Sequence, residues 1–180
     1  MLILDVQETE LFDESTDRFI TIRKQSVKLE HSLVSISKWE AKWCKPFLDK
    51  EKKSRDELLD YIRCMIINPV KDQDIVLGFT DSEINKIIDY INAPMTATTV
   101  TFLEKQPPSR EIITSELIYY WMITAGIPFE CEKWHINRLF ALIKICGAKN
   151  APKKKGFSRS QAQMQAELNA QRRAKLRSKG

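Results

Sequence analysis

The chain has 180 residues, a formal net charge of +5 and 43% hydrophobic residues, so it is long enough for one domain with its own core and too apolar for global disorder. No run of about 18 apolar residues is present, which excludes a transmembrane helix, and the start MLILDVQETE lacks the basic region of a signal peptide. The composition changes after Ala148, which predicts a globular domain over 1–148 and a basic arm over 149–180.

Three short runs near the N-terminus predict strands. Residues 2–6 are apolar, residues 19–22 are β-branched, and residues 26–30 alternate between apolar and polar, as a half-buried strand does. The acidic segment 8–17 is predicted to be a loop. The β-rich part, 1–31, is therefore expected to form a small antiparallel sheet of two or three strands.

Helical periodicity dominates residues 32–148. One apolar face predicts a helix over 32–47. Two further helices are predicted behind capping boxes, in which a Ser or Thr and a Glu three residues later satisfy each other's backbone N–H groups. These pairs are Ser54 with Glu57 and Thr80 with Glu83.

The second half of the domain predicts two more helices. The first begins near Pro108 and ends at 125, and because it is apolar on several faces we expect it at the centre of the core. The second covers 130–146 and ends at Gly147. The short connection 125–128 predicts an antiparallel αα-hairpin. Residues 96–103 fit either a strand or an extended linker. The expected fold class is α+β and mostly helical, with a small N-terminal antiparallel sheet, a helical bundle and a basic C-terminal helix.

The arm has ten Lys and Arg residues and one acidic residue, Glu167, for a net charge of +9, so the domain before it carries −4. Residues 160–178 are rich in good helix formers and predict a helix with a thin apolar face. We predict that the arm binds a partner through its apolar pair and its basic residues. This set comprises Met164, Leu168, Lys153, Lys154, Lys155, Arg159, Arg172, Arg173, Lys175, Arg177 and Lys179.

Residues that could carry catalysis are few. His31 precedes Ser32, but adjacent residues rarely present their side chains to each other, so we expect a structural histidine. Cys131 and His135 lie four residues apart on one predicted helix face, yet two ligands do not make a zinc site. Neither a Walker A nor a dinucleotide-binding motif is present. We therefore predict a protein without catalytic residues, metal or cofactor, and four free cysteines buried in a reducing compartment.

Two features leave alternatives open. The Trp39/Trp43 stripe fits the core better, but it also fits a partner-binding surface. The arm fits a solubilising tail, a nucleic-acid-binding segment or a helix that docks onto a protein. Base stacking is poorly supported because the arm has one aromatic residue, Phe157, whereas its Ala and Gln residues favour a docking helix.

Several segments resemble proteins encoded in the tail-gene region of tailed bacteriophages, some of which are tail assembly chaperones. The resemblance covers most of residues 1–150 and extends to the Gln/Ala/Arg-rich end. It is carried by EHSLVSISKWEAKW (30–43), KPFL (45–48), DYIRCM (60–65), PSREII (108–113) and IPFECEKWHINRL (127–139).

The resemblance implies a non-enzymatic protein of the host cytoplasm that binds the long, helical tape-measure protein and keeps it soluble until tail-tube subunits polymerise around it. The tail-tube protein and a second copy of the chain are further partners to expect, nucleic acid is a less favoured one, and no membrane is involved. Two alternative functions are a virion structural component, such as a connector or minor tail protein, and a nucleic-acid-binding accessory factor.

Overall fold

The computed structural model describes residues 1–13, 17–72, 74–98, 111–150 and 159–176. The chain divides into two compact units, Met1–Ala148 and Lys149–Gly180, and the division lies where the composition changes. The α+β, mostly helical fold class is confirmed. In the described parts of the chain, no helix is long and apolar enough to span a bilayer.

Four strands form two antiparallel pairs at the N-terminus. β1 (Leu2–Val6) pairs with β4 (Gln25–Leu29), and β2 (Thr9–Asp13) pairs with β3 (Arg18–Ile22). The predicted loop over 8–17 is therefore wrong in part, because it contains β2. The acidic residues obscured the pattern, but Leu11 and Phe12 pair with Ile20 and Phe19 and supply the strand's apolar contacts.

The first helix, α1 (Leu33–Trp43), is capped by Ser32 and ends at Cys44. The prediction extended it to residue 47, where Pro46 was expected to end or bend its last turn. Cys44 instead adopts a left-handed conformation with φ 52°, and its N–H donates to the Glu40 carbonyl oxygen at 2.8 Å. This conformation ends the helix before the proline is reached.

Both predicted capping boxes are confirmed. In α2 (Arg55–Met65) the Glu57 carboxylate accepts from the Ser54 N–H at 2.7 Å, and in α3 (Asp81–Asn92) the Glu83 carboxylate accepts from the Thr80 N–H at 2.8 Å. A short 3-10 helix (Ile75–Gly78) lies between them.

The next helix, α4 (Ser115–Thr124), is shorter than predicted. Thr114 caps it, and residues 111–114, where the helix was expected, are not helical. The expected start at Pro108 lies outside the described residues. Of the segment predicted as strand or linker, 96–98 has no regular structure and 99–103 lies outside the described residues.

The predicted helix over 130–146 is wrong in its start and its end. A second 3-10 helix (Phe129–Lys133) comes first, Trp134 is extended, and α5 runs over Ile136–Asn150 with Gly147 inside it. Tertiary contacts explain the break, since the Ile136 N–H donates to the His31 carbonyl oxygen at 2.7 Å and Ser32 bridges His135. The connection between α4 and α5 is therefore longer than the four-residue turn predicted for an αα-hairpin. The C-terminal unit contains the predicted basic helix, α6 (Arg159–Leu176).

The core of the first unit joins the inner faces of the strands to those of the helices. Its largest fully buried side chains are Trp39, Tyr61, Ile22, Leu29, Leu33, Ile36, Met65, Ile75, Ile87, Ile118, Met122 and Ile136.

Two glycines give a matched test of core packing. A Cβ at Gly78 would lie 2.7 Å from Cδ1 of the fully buried Ile22, whereas a Cβ at Gly147 would meet nothing within 4 Å. Gly78→Ala is therefore expected to destabilise the fold by about 1–3 kcal/mol through overpacking. Gly147→Ala, inside α5, is expected to stabilise it by about 0.5–1 kcal/mol. Urea unfolding measures both, and equal effects of the two substitutions would contradict this packing.

Candidate partner-binding surfaces

The predicted binding residues of the arm are only partly described. Met164, Leu168 and Arg172 are exposed on α6. Helix α6 also contains Arg159, Arg173 and Lys175, whose backbone is described but whose side chains are not. Lys153, Lys154, Lys155, Arg177 and Lys179 lie outside the described residues altogether.

Met164 and Leu168 lie one helical turn apart and therefore share one face of α6. Both side chains are exposed. A helix with a narrow apolar face buries little surface by itself.

The tryptophan stripe belongs to the core at Trp39, which is 1% exposed and donates its ring N–H to the Glu57 carbonyl oxygen at 2.8 Å. The partner-surface interpretation of Trp39 is therefore wrong, because a partner cannot reach a fully buried ring. Trp43 stacks on it with ring centroids 6.1 Å apart and donates to the Asp60 carboxylate at 2.9 Å. Trp43 is half-buried and occupied by these contacts.

An apolar groove lies between α2, the first 3-10 helix and the start of α3. Its volume is about 420 Å³, and we call it the interhelical groove. Its apolar lining consists of Leu58, Leu59, Ile62, Val76, Leu77, Phe79 and Ile84. Leu58 and Leu77 are exposed at its rim, and the charged residues Arg55 and Asp81 also line it. The sequence gives no sign that Leu58 borders a groove, because an apolar residue in a helix fits a buried face equally well.

A second apolar surface lies on the outer side of α4. Tyr120, Ile123 and Phe129 are 59%, 62% and 55% exposed, whereas Ile118 and Met122 on the opposite side of the helix are fully buried. Tyr119 is half-buried, and its ring lies 6.2 Å from that of Phe129. We call Tyr119, Tyr120, Ile123 and Phe129 the α4 surface. The expected central position of this helix is wrong, because only one of its apolar faces enters the core. In the sequence, this surface is indicated by the apolar residues of α4, which form a band wider than one helix face.

Both histidines are buried and hydrogen-bonded. His31 is bonded through Nδ1 to the Tyr61 hydroxyl, and its ring centroid lies 5.1 Å from that of His135. Burial and the nearby His135 lower the pKa of His31 to about 3. The Ser32 hydroxyl lies within hydrogen-bond distance of the Ser35 hydroxyl, at 2.8 Å, and accepts from the Ser35 N–H, so it serves the α1 cap.

His135 is held between two backbone groups. Its Nε2 donates to the Tyr90 carbonyl oxygen at 3.0 Å, and its Nδ1 accepts from the Asn137 N–H at 3.3 Å, which fixes the neutral tautomer. Burial lowers the pKa of His135. Tyr90 in turn donates its hydroxyl to the Glu30 carboxylate at 2.6 Å.

Cys131 is buried, and the described residues contain no cluster of three or more His, Cys, Asp or Glu that could hold a metal ion. The prediction of four free cysteines is confirmed, but burial holds only for Cys131, since Cys44 is exposed and the other two are half-buried. Comparisons with protein-family models, with curated proteins and with solved structures gave no match.

Proposed function

We propose that the chain is a tail assembly chaperone of a tailed bacteriophage. It binds the helical tape-measure protein in the host cytoplasm and keeps it soluble until tail-tube subunits enclose it. The observation that carries the proposal is the interhelical groove, and the resemblance of most of residues 1–150 to tail-region proteins supplies the partner.

The interhelical groove suits a helix because its lining is apolar and its walls are helices. The backbone groups inside α2 and α3 are bonded within each helix, so a ligand gains affinity from side-chain contacts. An amphipathic helix makes such side-chain contacts when its apolar face lies in the groove. Exposed Leu58 and Leu77 at the rim would be covered by such a ligand.

The arm supplies a second contact of different character. Met164 is unbranched and adapts to irregular apolar surfaces, which suits a chaperone whose long partner presents many different sites. The basic residues of the arm add attraction to acidic stretches of the partner. Two weak contacts on one chain strengthen each other by effective concentration while remaining reversible.

Co-expression with the tape-measure protein encoded in the same genome tests the proposal. The wild-type chain is expected to raise the soluble fraction of that protein several-fold. The double variant Leu58→Glu/Leu77→Glu is expected to weaken the complex about ten-fold or more, because it places two charges at the rim of the groove. Ile67→Glu introduces the same charge at an exposed position outside the groove lining. It should leave both the complex and the soluble fraction of the tape-measure protein unchanged. A tape-measure protein that is equally insoluble with and without the chain would sink the proposal.

Mass spectrometry of purified virions separates this function from that of a virion structural component. An assembly chaperone is expected to be absent from the finished particle. A copy number comparable to that of known tail proteins would instead support a connector or minor tail protein.

A further inference from the structure

The α4 surface is a continuous exposed patch. Tyr120 and Ile123 are three residues apart on α4, and Tyr119 and Ile123 are four apart, so their side chains are neighbours. The ring of Tyr119 then continues the patch to Phe129 on the second 3-10 helix. A contiguous patch of large apolar side chains marks an interaction site more often than single exposed residues do.

The charges beside the α4 surface are mostly acidic. Within α4, which is described in full, Glu116 is the only charged residue, and it lies one turn before Tyr120. The second 3-10 helix adds Glu130, Glu132 and one cation, Lys133. The Glu132 carboxylate accepts a hydrogen bond from the Tyr119 hydroxyl at 2.8 Å, which places this carboxylate at the edge of the patch. Hydrogen bonds from its own backbone N–H and from Thr114 lower the pKa of Glu116, which keeps this carboxylate ionised at neutral pH.

From this juxtaposition of an exposed apolar helix face and an acidic edge, we infer that the α4 surface binds a basic amphipathic helix of another protein. This helix has apolar residues at spacings of three and four and Lys or Arg beside them. With ten residues, α4 is about 15 Å long, so roughly three turns of a partner helix cover it. The α4 surface shares no residue with the interhelical groove, so a failed test of one surface leaves the other standing.

The chemistry of the surface disfavours other occupants. Strand addition needs a row of open backbone groups, whereas the interior backbone groups of α4 are bonded within the helix. An anionic membrane is repelled by the acidic edge. In a two-fold pairing of two copies, the acidic side chains around one α4 surface would lie close to those around the other, which costs free energy.

Fluorescence anisotropy with three synthetic 18-residue helical peptides tests the inference on the full chain. The first peptide has leucines on one face with flanking lysines, the second has glutamine in place of lysine, and the third has the composition of the first with its leucines scattered. We expect the first to bind about ten-fold more tightly than either of the others, with an affinity that falls as salt rises.

Variants locate the binding site. Tyr120→Ser and Ile123→Ser are each expected to weaken binding of the first peptide about ten-fold, because they remove exposed anchor side chains. Glu116→Gln/Glu130→Gln should weaken it several-fold and flatten its salt dependence. Phe19→Ser, which removes an exposed aromatic ring on β3, is the matched control and should leave the affinity for the first peptide unchanged.

Three results would overturn the inference. They are equal affinity for the first and third peptides, unchanged affinity in Ile123→Ser, and an equal loss in Phe19→Ser. Sedimentation of the chain alone adds a fourth, since a wild-type dimer that Ile123→Ser converts to a monomer would assign the surface to a second copy.

Discussion

Replacing Glu40 with alanine is expected to lower the free energy of unfolding by about 3 to 5 kcal/mol. Glu40 is a buried carboxylate on α1 that accepts two backbone N–H groups, from Phe47 at 2.8 Å and from Ser115 at 2.7 Å. Alanine leaves both donors without this acceptor in a place that water reaches poorly. Each lost hydrogen bond to a charged acceptor costs about 1.5–3 kcal/mol.

The contact to Ser115 also positions the α4 surface. The first N–H groups of a helix have no partner within the helix, and a negative charge at that end is stabilised by the helix dipole. Glu40 therefore fixes the start of α4 against α1. In Glu40→Ala we expect faster hydrogen exchange over Ser115–Thr124 in addition to the global loss of stability.

Glu40→Gln keeps one acceptor oxygen and is expected to cost about half as much, so it provides a folded variant if alanine prevents folding. The matched control is Glu51→Gln, the same chemical change at an exposed residue, which should stay within about 0.5 kcal/mol of the wild type. Urea unfolding followed by tryptophan fluorescence measures all three. Equal stability of the Glu40→Gln and Glu51→Gln variants would show that the two backbone contacts contribute nothing.

The second large effect is a loss of stability on mild acidification. The unfolded chain takes up a proton on His31 near pH 6.5, whereas the folded chain resists it until about pH 3. The contribution of the neutral histidine is therefore complete above pH 6.5 and falls as the pH drops through the window between the two values. The expected loss from His31 is about 2 kcal/mol at pH 5, at roughly 1.4 kcal/mol per pH unit.

The groups around His31 explain why its charged form is disfavoured. Its ring meets Tyr61 from α2 and His135, the residue before α5, and neither carries a negative charge at neutral pH. The nearby Glu30 carboxylate is bound to the Tyr90 hydroxyl and lies 2.9 Å from the N-terminal amine. His135 titrates in the same direction, since burial also lowers its pKa, and therefore adds to the loss.

His31→Gln isolates the effect. Glutamine keeps a polar partner for Tyr61 but takes up no proton, so this variant should lose about 2 kcal/mol less than the wild type between pH 7.5 and pH 5. The window above pH 5 avoids the titration of most carboxylates. Urea unfolding at a series of pH values supplies the measurement, and a wild-type stability that stays flat from pH 7.5 to pH 5 would contradict a neutral buried histidine.

The features that the sequence predicted well are local. The capping boxes at Ser54 and Thr80 need only residues within one helical turn, and the alternation in β4 needs only five residues. The apolar pattern of α1 similarly favoured the core for Trp39, although it left a partner-binding surface open. In each case the interaction that stabilises the element lies within the same short stretch of sequence.

The features that were missed depend on distant contacts. The break before α5 is stabilised by backbone bonding to His31, more than 100 residues earlier, and the start of α4 depends on Glu40, a separation of 75 residues. Local periodicity carries no trace of such partners. The exposure of Tyr120 and Ile123 was indicated only indirectly, by an apolar band wider than one helix face, because an apolar residue on a helix looks the same in the sequence whether it is buried or exposed.

Hydrogen exchange of the chain alone and in its complex with the tape-measure protein tests the proposed function most directly. The proposal predicts slower exchange in the complex around the interhelical groove, in α2 and α3, and along α6, with little change in β1 and β4. The same exchange in all of these elements with and without the tape-measure protein, at concentrations where a complex should form, would contradict it.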